Sequence, residues 1–372
     1  MSRRTRLLHV VQNLNYGGME RLLADLVRCI DGDRFDVHVL CLDALGHFAE
    51  GLDRCATVHL LGPQPRYSIL WPRTLTERIR RIRPDVVHSH SGVWYKTSLA
   101  ARQAGVRFVV HTDHGRADPD PWRNRLFDGL ASRRTDVVVA VSEALAHVLR
   151  RGIVAGGVPI RVILNGVDTG RFRPRPDDAG LRAGLGLPPD TPIVGSIGRL
   201  ERDKGYDVVV EAFARLYASW HGPRPAPALV IAGDGTERAD LERRIARHAI
   251  GRAVRLLGWR DDAEALLPGF DVFTLGSRNE GTSISLLEAM SAGIRPVVTD
   301  VGGNAAVLGD ELRDGLVPPD DPAALAAAWA AVLADPDRAR RDGRVARRRV
   351  ERHFSIEATA RAYERLYREH AP

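Results

Sequence analysis

Two carboxylates bracket one stretch of this chain, Glu280-Gly281-Thr282-Ser283-Ile284-Ser285-Leu286-Leu287-Glu288, in which a polar turn runs into an apolar segment. Thr282 or Ser283 can N-cap a helix there, Leu286, Leu287 and Met290 give it an apolar side, and Gly293 can stop it. The free N–H groups and positive dipole end of such a helix suit a phosphate. Glu280 just before the helix and Glu288 within it can accept hydroxyls. Upstream, Gly198-Arg199-Leu200-Glu201-Arg202-Asp203-Lys204-Gly205 follows an apolar run. Arg199 and Lys204 at a strand-to-helix loop can clamp adjacent phosphates, the guanidinium as a bidentate fork and the ammonium as a point charge. Phosphates and hydroxyls held together are the recognition problem posed by a sugar nucleotide.

Further groups sit at the ends of predicted strands. His88-Ser89-His90 and His111-Thr112-Asp113-His114-Gly115 put up to four histidines on the ligand side of the first domain. Their spacing lacks the H-x-x-x-H or H-E-x-x-H of a helical metal site, so no metal is expected. Asp118-Pro119-Asp120 lies in a Pro-containing loop without the context of a metal motif, and neither Asp113 nor Asp118 acquires a role. Gly17-Gly18, between a strand and a helix, either lets backbone approach a ligand without a Cβ in the way or makes a plain tight turn. Asn165-Gly166 is a turn signal, and Gly233 follows the strand Ala228 to Ala232. Trp259 either stacks on a base or belongs to the core.

The elements that must position these groups are legible as short, continuously apolar runs. In the first half they are Leu7 to Val11, Val37 to Leu42, Val58 to Leu61, Val86 to His88, Phe108 to His111, Val137 to Val141 and Val162 to Leu164. In the second they are Ile193 to Ile197, Ala228 to Ala232, Val254 to Leu257, Val272 to Leu275 and Pro296 to Thr299. Strands apolar on successive positions are buried on both faces, and with amphipathic helices between them they predict doubly wound parallel sheets. Between the halves, Pro-rich and charged residues from Arg171 to Pro192 read as a hinge. The expected domains are 1–175 and 190–354, with a helix at about 355–372 packing back on the first. Ligands of such sheets bind at the carboxyl ends of the strands, here in a cleft between the halves.

The bulk composition is consistent with this. At 372 residues the chain is long enough for two cores. Cys29, Cys41 and Cys55 are odd in number and lack C-x-x-C spacing, which argues against a disulfide framework or zinc knuckle and for a reducing compartment. The apolar run behind the charged start is too short for a signal peptide, and no stretch approaches a transmembrane span. A cytoplasmic protein is expected. The net charge of +7 belongs to the first 175 residues, which hold 27 Lys+Arg against 17 Asp+Glu. No helix-turn-helix, zinc-finger or aromatic RNP-like pattern accompanies it, so nucleic acid is not an expected partner.

In order along the chain these motifs resemble those of retaining glycosyltransferases of family 4. The carboxylate pair is similar to the family's E-x7-E motif, and Gly198 to Gly205 matches G-R-L-x-x-x-K-G at every fixed position. Gly17-Gly18-Met19-Glu20 resembles the G-G-x-E loop, and Thr112-Asp113-His114 the turn that carries a single histidine. Val141-Ser142-Glu143, Asn165-Gly166-Val167-Asp168, Ala232-Gly233-Asp234-Gly235 and Gly302-Gly303 resemble further landmarks. Arg295 and the pair Thr282-Ser283 depart from the residues more usual there, so the donor sugar is not implied.

The resemblance implies a GT-B fold, two Rossmann-like domains facing a cleft. It also implies transfer of a sugar, with retention, from a UDP- or GDP-sugar to an acceptor hydroxyl, without metal or cofactor. His114, Glu280, Arg199 and Lys204 would serve catalysis, with His111 capping its strand. Gly17, Gly18, Asn165, Gly233, Gly281, Thr282, Ser283 and Glu288 would bind substrate, Glu288 through the ribose. A non-catalytic nucleotide-sugar scaffold and a sugar-nucleotide 2-epimerase of the same fold are the alternatives. Arg66 to Arg83 mixes Tyr67, Leu70 and Trp71 with arginines, which reads either as an Arg-rich surface helix or as an interfacial one. The second reading suits a lipid-linked glycan acceptor in exopolysaccharide or envelope synthesis and a peripheral contact at the inner face of the membrane.

Overall fold

The computed structural model describes residues 3–15, 17–116, 121–175, 180–222 and 224–370. The chain divides into two compact units, Met1–Gly166 with Ile356–Pro372, and Val167–Ser355.

Unit 1 is built on a seven-stranded parallel sheet. Its strands are β1 (Thr5–Val11), β2 (Phe35–Cys41), β3 (Thr57–Leu60), β4 (Val86–His90), β5 (Phe108–Asp113), β6 (Val137–Ala140) and β7 (Ile160–Val162), in the order β3-β2-β1-β4-β5-β6-β7. Leu8, Val10, Leu40, Val87 and Val109 meet Leu75, Ile79, Ala100 and Ala101 from flanking helices in one core. The helix Ile356–His370 belongs to this unit. Its Thr359 Oγ1 donates to Leu164 O at 2.9 Å, and its Glu364 Oε1 accepts from the backbone N of Asp31 at 2.9 Å.

Unit 2 carries a six-stranded parallel sheet of β8 (Ile193–Ile197), β9 (Ala228–Ala232), β10 (Val254–Leu256), β11 (Val272–Leu275), β12 (Arg295–Thr299) and β13 (Leu316–Val317), in the order β10-β9-β8-β11-β12-β13. Its core joins Val194, Leu229, Ile231 and Val297 to Val209, Phe213, Leu325 and Trp329 from flanking helices.

Each sheet reverses its winding once, at β1/β4 in unit 1 and at β8/β11 in unit 2. At such a switch point the loops leaving two neighbouring strands part to opposite faces, leaving room for a ligand at the carboxyl ends.

Two local features differ from the sequence expectation. The last strand of unit 1 lies at Ile160–Val162, because pairing to Val138–Ala140 fixes its register and half-exposed edge residues carry little apolar signal. The Pro-rich stretch is anchored in unit 2: Arg171 Nη2 bonds Glu264 at 3.0 Å, Phe172 is buried, and Arg182 Nη2 bonds Asp271 at 2.7 Å.

Candidate active site

The loops that leave β8, β9, β11 and β12 are interlocked through glycine. A Cβ on Gly205, at φ +60°, would come 2.0 Å from Gly276 O, and one on Gly233 1.9 Å from Gly198 O. Gly302, at φ +54°, lies so close to the backbone of Glu280 that its Cβ would sit 1.7 Å from that carbonyl oxygen. Only glycine allows these backbones to touch.

The contacts bring Lys204 from the β8 loop to Glu280 from the β11 loop. Lys204 Nζ donates to Glu280 Oε1 at 2.8 Å, and Ser277 Oγ donates to the same oxygen at 2.7 Å. Thr299 Oγ1 holds Ser277 O at 2.6 Å, and Asn304 Nδ2 holds Thr299 O at 3.0 Å, so β12 supports the β11 loop from behind. The pair spans the switch point. Arg199, on the β8 loop, is exposed and has no ion pair among the described residues.

After Glu280 the helix Ile284–Ser291 begins. Of the two cap candidates it is Ser283 that caps it, its Oγ accepting from Leu286 N at 3.4 Å. Gly293 follows the helix end at φ +81°. Gly281, Thr282 and Ser283 are buried at the helix start beside the half-buried Glu280, while Glu288, expected to meet a ribose, is only 4% exposed and belongs to the packed side of the helix. Trp259 stands partly exposed after β10.

In unit 1, Gly17 precedes the helix Gly18–Cys29, the next element after β1, with Gly18 in its first turn. Asn165 is buried beside the end of the unit. The histidines are gathered more tightly than their spacing suggests, and a fifth, His9 of β1, joins them. His88 Nδ1 is 2.7 Å from Tyr367 OH, His88 Nε2 is 2.7 Å from Thr112 Oγ1, and Thr112 Oγ1 is 3.0 Å from Tyr363 OH, which ties the helix Ile356–His370 to β4 and β5. His9 Nδ1 lies 3.0 Å from His90 Nε2, and His90 Nδ1 lies 3.2 Å from His114 Nε2. Burial pushes His9 down to about 3 and His114 down to about 4, and it holds His88, His90 and His111 well below the usual imidazole range. All five rings are neutral at pH 7.

His111 does not cap its strand as expected. It is buried within β5, stacked on Trp94 at 4.1 Å with Nδ1 bonded to Ser89 Oγ, and belongs to the core. Asp113 bonds Arg116 at 2.6 Å, and Arg116 in turn bonds Asp128 at 2.6 Å, so this acid braces the loop after β5. Asp118 and Asp120 lie outside the described residues.

His9, His88 and His90 also have ligand atoms within 4.8 Å of one another. Both nitrogens of His88 are bonded to Thr112 and Tyr367, and His9 and His90 bond one another, so hydrogen bonding accounts for the cluster and a metal would have to displace it. His9 sits inside an apolar strand, and that single polar residue was the signal available in the sequence.

The described residues contain no helix long and apolar enough to cross a membrane. Known proteins match along the whole chain. The family model "Glycosyltransferase Family 4" covers residues 16–171, and "Glycosyl transferases group 1" covers residues 177–349. A UDP-Gal:alpha-D-GlcNAc-diphosphoundecaprenol alpha-1,3-galactosyltransferase of Escherichia coli is 27% identical over 85% of this chain and 84% of its own length. A glycogen synthase of Mycobacterium tuberculosis is 31% identical over 77% of this chain and 69% of its own length. Among solved structures, Anabaena HepE in complex with UDP and glucose superposes with a TM-score of 0.85 at 21% identity, covering 98% of this chain and all of that one. The two doubly wound sheets are thus those of the GT-B fold, and the chain belongs to glycosyltransferase family 4.

Proposed function

We propose that the protein transfers a sugar, with retention at the anomeric carbon, from a UDP- or GDP-sugar to a hydroxyl of a lipid-linked glycan acceptor. The observation that carries this reading is the Lys204–Glu280 pair at the switch point of unit 2, flanked by the free guanidinium of Arg199 and the start of the helix Ile284–Ser291. Arg199, Lys204 and the amides of Gly281, Thr282 and Ser283 would hold the diphosphate and stabilise its charge as it departs, the term that usually dominates this kind of catalysis. Glu280 would orient a sugar hydroxyl, and Glu288 would reach the ribose after a local rearrangement. In unit 1, Gly17 and Gly18 would serve the acceptor and His114 the transferred sugar.

In the proposed step the bond between the anomeric carbon and the phosphate oxygen breaks, the acceptor oxygen bonds to that carbon, and the acceptor proton passes to the departing phosphate oxygen. Cationic side chains and helix amides then do what a divalent ion does elsewhere, and we assign no metal or cofactor to the step. The E. coli relative, a transferase acting on a diphosphoundecaprenol-linked sugar, supports the acceptor class, and the Anabaena structures with UDP and UDP-glucose support the donor class. Envelope or exopolysaccharide assembly is the corresponding pathway type.

The test is a panel of UDP- and GDP-sugars, followed by thermal shift and by release of nucleoside diphosphate, with and without EDTA. Stabilisation by one donor with hydrolysis that persists in EDTA is expected. Stabilisation only in the presence of a divalent ion would overturn the metal-free reading, and silence toward every donor would overturn the donor class.

A further inference from the structure

The amino ends of the unit 2 strands hold a second cleft, of about 1080 Å³, lined wholly by residues of that unit. Its floor comes from Phe270 and Asp271 just before β11 and from Gly293, Ile294 and Arg295 where β12 begins, and one face of the helix Pro336–His353 forms a wall. Gly343 sets that wall. A Cβ there would come 1.9 Å from Gly293 O, so the helix backbone lies directly on the turn before β12. The five residues of β12, about 16 Å of extended chain, stand between this cleft and the groups gathered at the carboxyl ends of the sheet.

Cations dominate the lining, with eight arginines against Asp190, Asp271 and Glu351. Most of the arginines are engaged. Arg182 and Arg224 share Asp271 at 2.7 and 3.0 Å, Arg347 pairs with Glu351 at 2.7 Å, and Arg340 pairs with Asp337 at 2.5 Å. Arg295, only 2% exposed, bonds Asp314 at 2.6 Å, yet its Nε and Nη1 are left without a hydrogen-bond partner. Arg344 and Arg348 are exposed and have no ion pair or hydrogen bond among the described residues. One turn apart on the helix face that lines the cleft, and in line with Arg340, they repel one another. Such a row is unfavourable alone and favourable with an anion beside it. Two cations on one carboxylate, two unpaired cations and a buried guanidinium short of acceptors leave this cleft in positive excess. Phosphate oxygens supply acceptors in the geometry that guanidinium groups bind as a fork. Phe270, Ile294 and Leu333 make the rest of the lining apolar, and a few convergent polar groups in an apolar cleft are the composition of a small-molecule site.

We propose that this cleft is a second anion site, separate from the one at the carboxyl ends, and that it binds a phosphorylated small molecule through Arg344 and Arg348. The site stands independently of the transfer reaction proposed above.

The probes are inorganic pyrophosphate and tripolyphosphate, titrated calorimetrically into the full chain at low salt. Arg199→Ala with Lys204→Met removes the cations of the other site, and in this variant saturable binding of one equivalent is expected. Adding Arg344→Ser and Arg348→Ser should weaken that binding at least about tenfold, the order of one lost charged hydrogen bond. Because both side chains are exposed and unpaired, the Tm without ligand should not fall. Arg361→Ser with Arg365→Ser removes the same charge from exposed positions of the last helix and should leave the affinity unchanged. Absence of saturable binding by either probe overturns the proposal. So does binding that Arg199→Ala with Lys204→Met abolishes, which would assign the anion to the other site, and so does equal weakening by the two arginine pairs, which would reduce the effect to net charge. If the Arg199 and Lys204 variant fails to fold, the two arginine pairs compared in the otherwise wild-type chain decide.

Discussion

Lys204 and Glu280, 76 positions apart in sequence, are bonded to one another at 2.8 Å across the switch point of the unit 2 sheet. The side chain of Glu280 is almost wholly enclosed and Lys204 is mostly so. A phosphate arriving beside Lys204 therefore meets an ammonium already neutralised by a carboxylate, and it has to share that ammonium or displace the carboxylate toward a sugar hydroxyl. Removing Lys204 both deletes a cation and leaves Glu280 as an uncompensated anion next to the incoming phosphates. Lys204→Ala is expected to lower turnover by about 2–4 kcal/mol in activation free energy, the range for loss of one preorganised donor. Arg199→Ala should fall at the low end, because its guanidinium is exposed and leaves no buried charge behind. Measured kcat/KM for donor hydrolysis in both variants decides this, and near-normal values in both would remove these residues from the mechanism.

Pairing also predicts coupling. If Glu280 and Lys204 act as one unit, Lys204→Met combined with Glu280→Gln should cost less than the two single changes added together. Residues in one ion pair commonly show interaction energies of about 0.5–3 kcal/mol. A double-mutant cycle on unfolding free energy and on kcat/KM measures it, and strict additivity would mean that the pair does not matter in the working enzyme.

Acid should unfold unit 1 early. His9 and His114 titrate at about 3 and about 4 in the folded chain, and His88, His90 and His111 well below their ordinary range, all chiefly through desolvation. Once unfolded they titrate near 6.5. Above that pH both states bind no proton and stability does not change. Below it the unfolded chain takes up protons that the folded one refuses, so stability falls as pH drops, by about 1.4 kcal/mol per pH unit for each such ring. By pH 5 the loss is about 2 kcal/mol for each of His9 and His114, and His88, His90 and His111 add to it in the same direction, a large share of the stability of a domain. Unfolding followed by circular dichroism is expected between about pH 5 and pH 6, before most carboxylates are protonated. His9→Phe should move the transition to lower pH.

Much of this arrangement could be seen in the sequence, and the part that could not has a common physical cause. Strands buried on both faces announce themselves as apolar runs, which is why β8, β9 and β11 fall where the residues say. Glycines that allow backbone contact are likewise visible, although not what they touch. What a single chain does not display is which loops the sheet order brings together. His9 and His90 are 81 positions apart and His88 and Tyr367 are 279 apart, and each pair meets only because β4 lies beside β1 and the last helix returns to unit 1. Glu288 has helical spacing that suits a ligand, yet its side of the helix is packed inward. Spacing gives the face of a helix and not its neighbour.

Gly302 gives a test of the interlocked loops. At φ +54° a side chain is strained by about 1–3 kcal/mol from the backbone alone. The added Cβ would also press on the Glu280 carbonyl, which cannot swing away as a flexible side chain can. Gly302→Ala is therefore expected both to lower the Tm of unit 2 and to weaken nucleotide-sugar binding by shifting Glu280. A variant of lower Tm with unaltered donor affinity would show that the β12 loop supports stability without shaping the site.

The exposed apolar residues of unit 1 carry the last prediction. Tyr67, Leu70 and Trp71 are 71%, 58% and 57% exposed, and the guanidinium of Arg73 lies 5.5 Å from the Trp71 ring. The helix that follows, Arg73–Ile82, buries Leu75, Thr76, Ile79 and Ile82 in the core, so its arginines lie on its outer side. Bare aromatic and leucine side chains beside such a basic face have the composition of an interfacial anchor, in which apolar insertion and attraction to anionic lipid act together. Sedimentation with vesicles containing phosphatidylglycerol is expected, weakened by salt and by Leu70→Ser with Trp71→Ser, and absent with neutral phosphatidylcholine alone. Because these side chains already face water, the double change should leave the Tm and donor hydrolysis intact. Binding to anionic vesicles that the double variant retains in full would move the contact elsewhere, and the Arg-rich helix would then be no more than a solvated face.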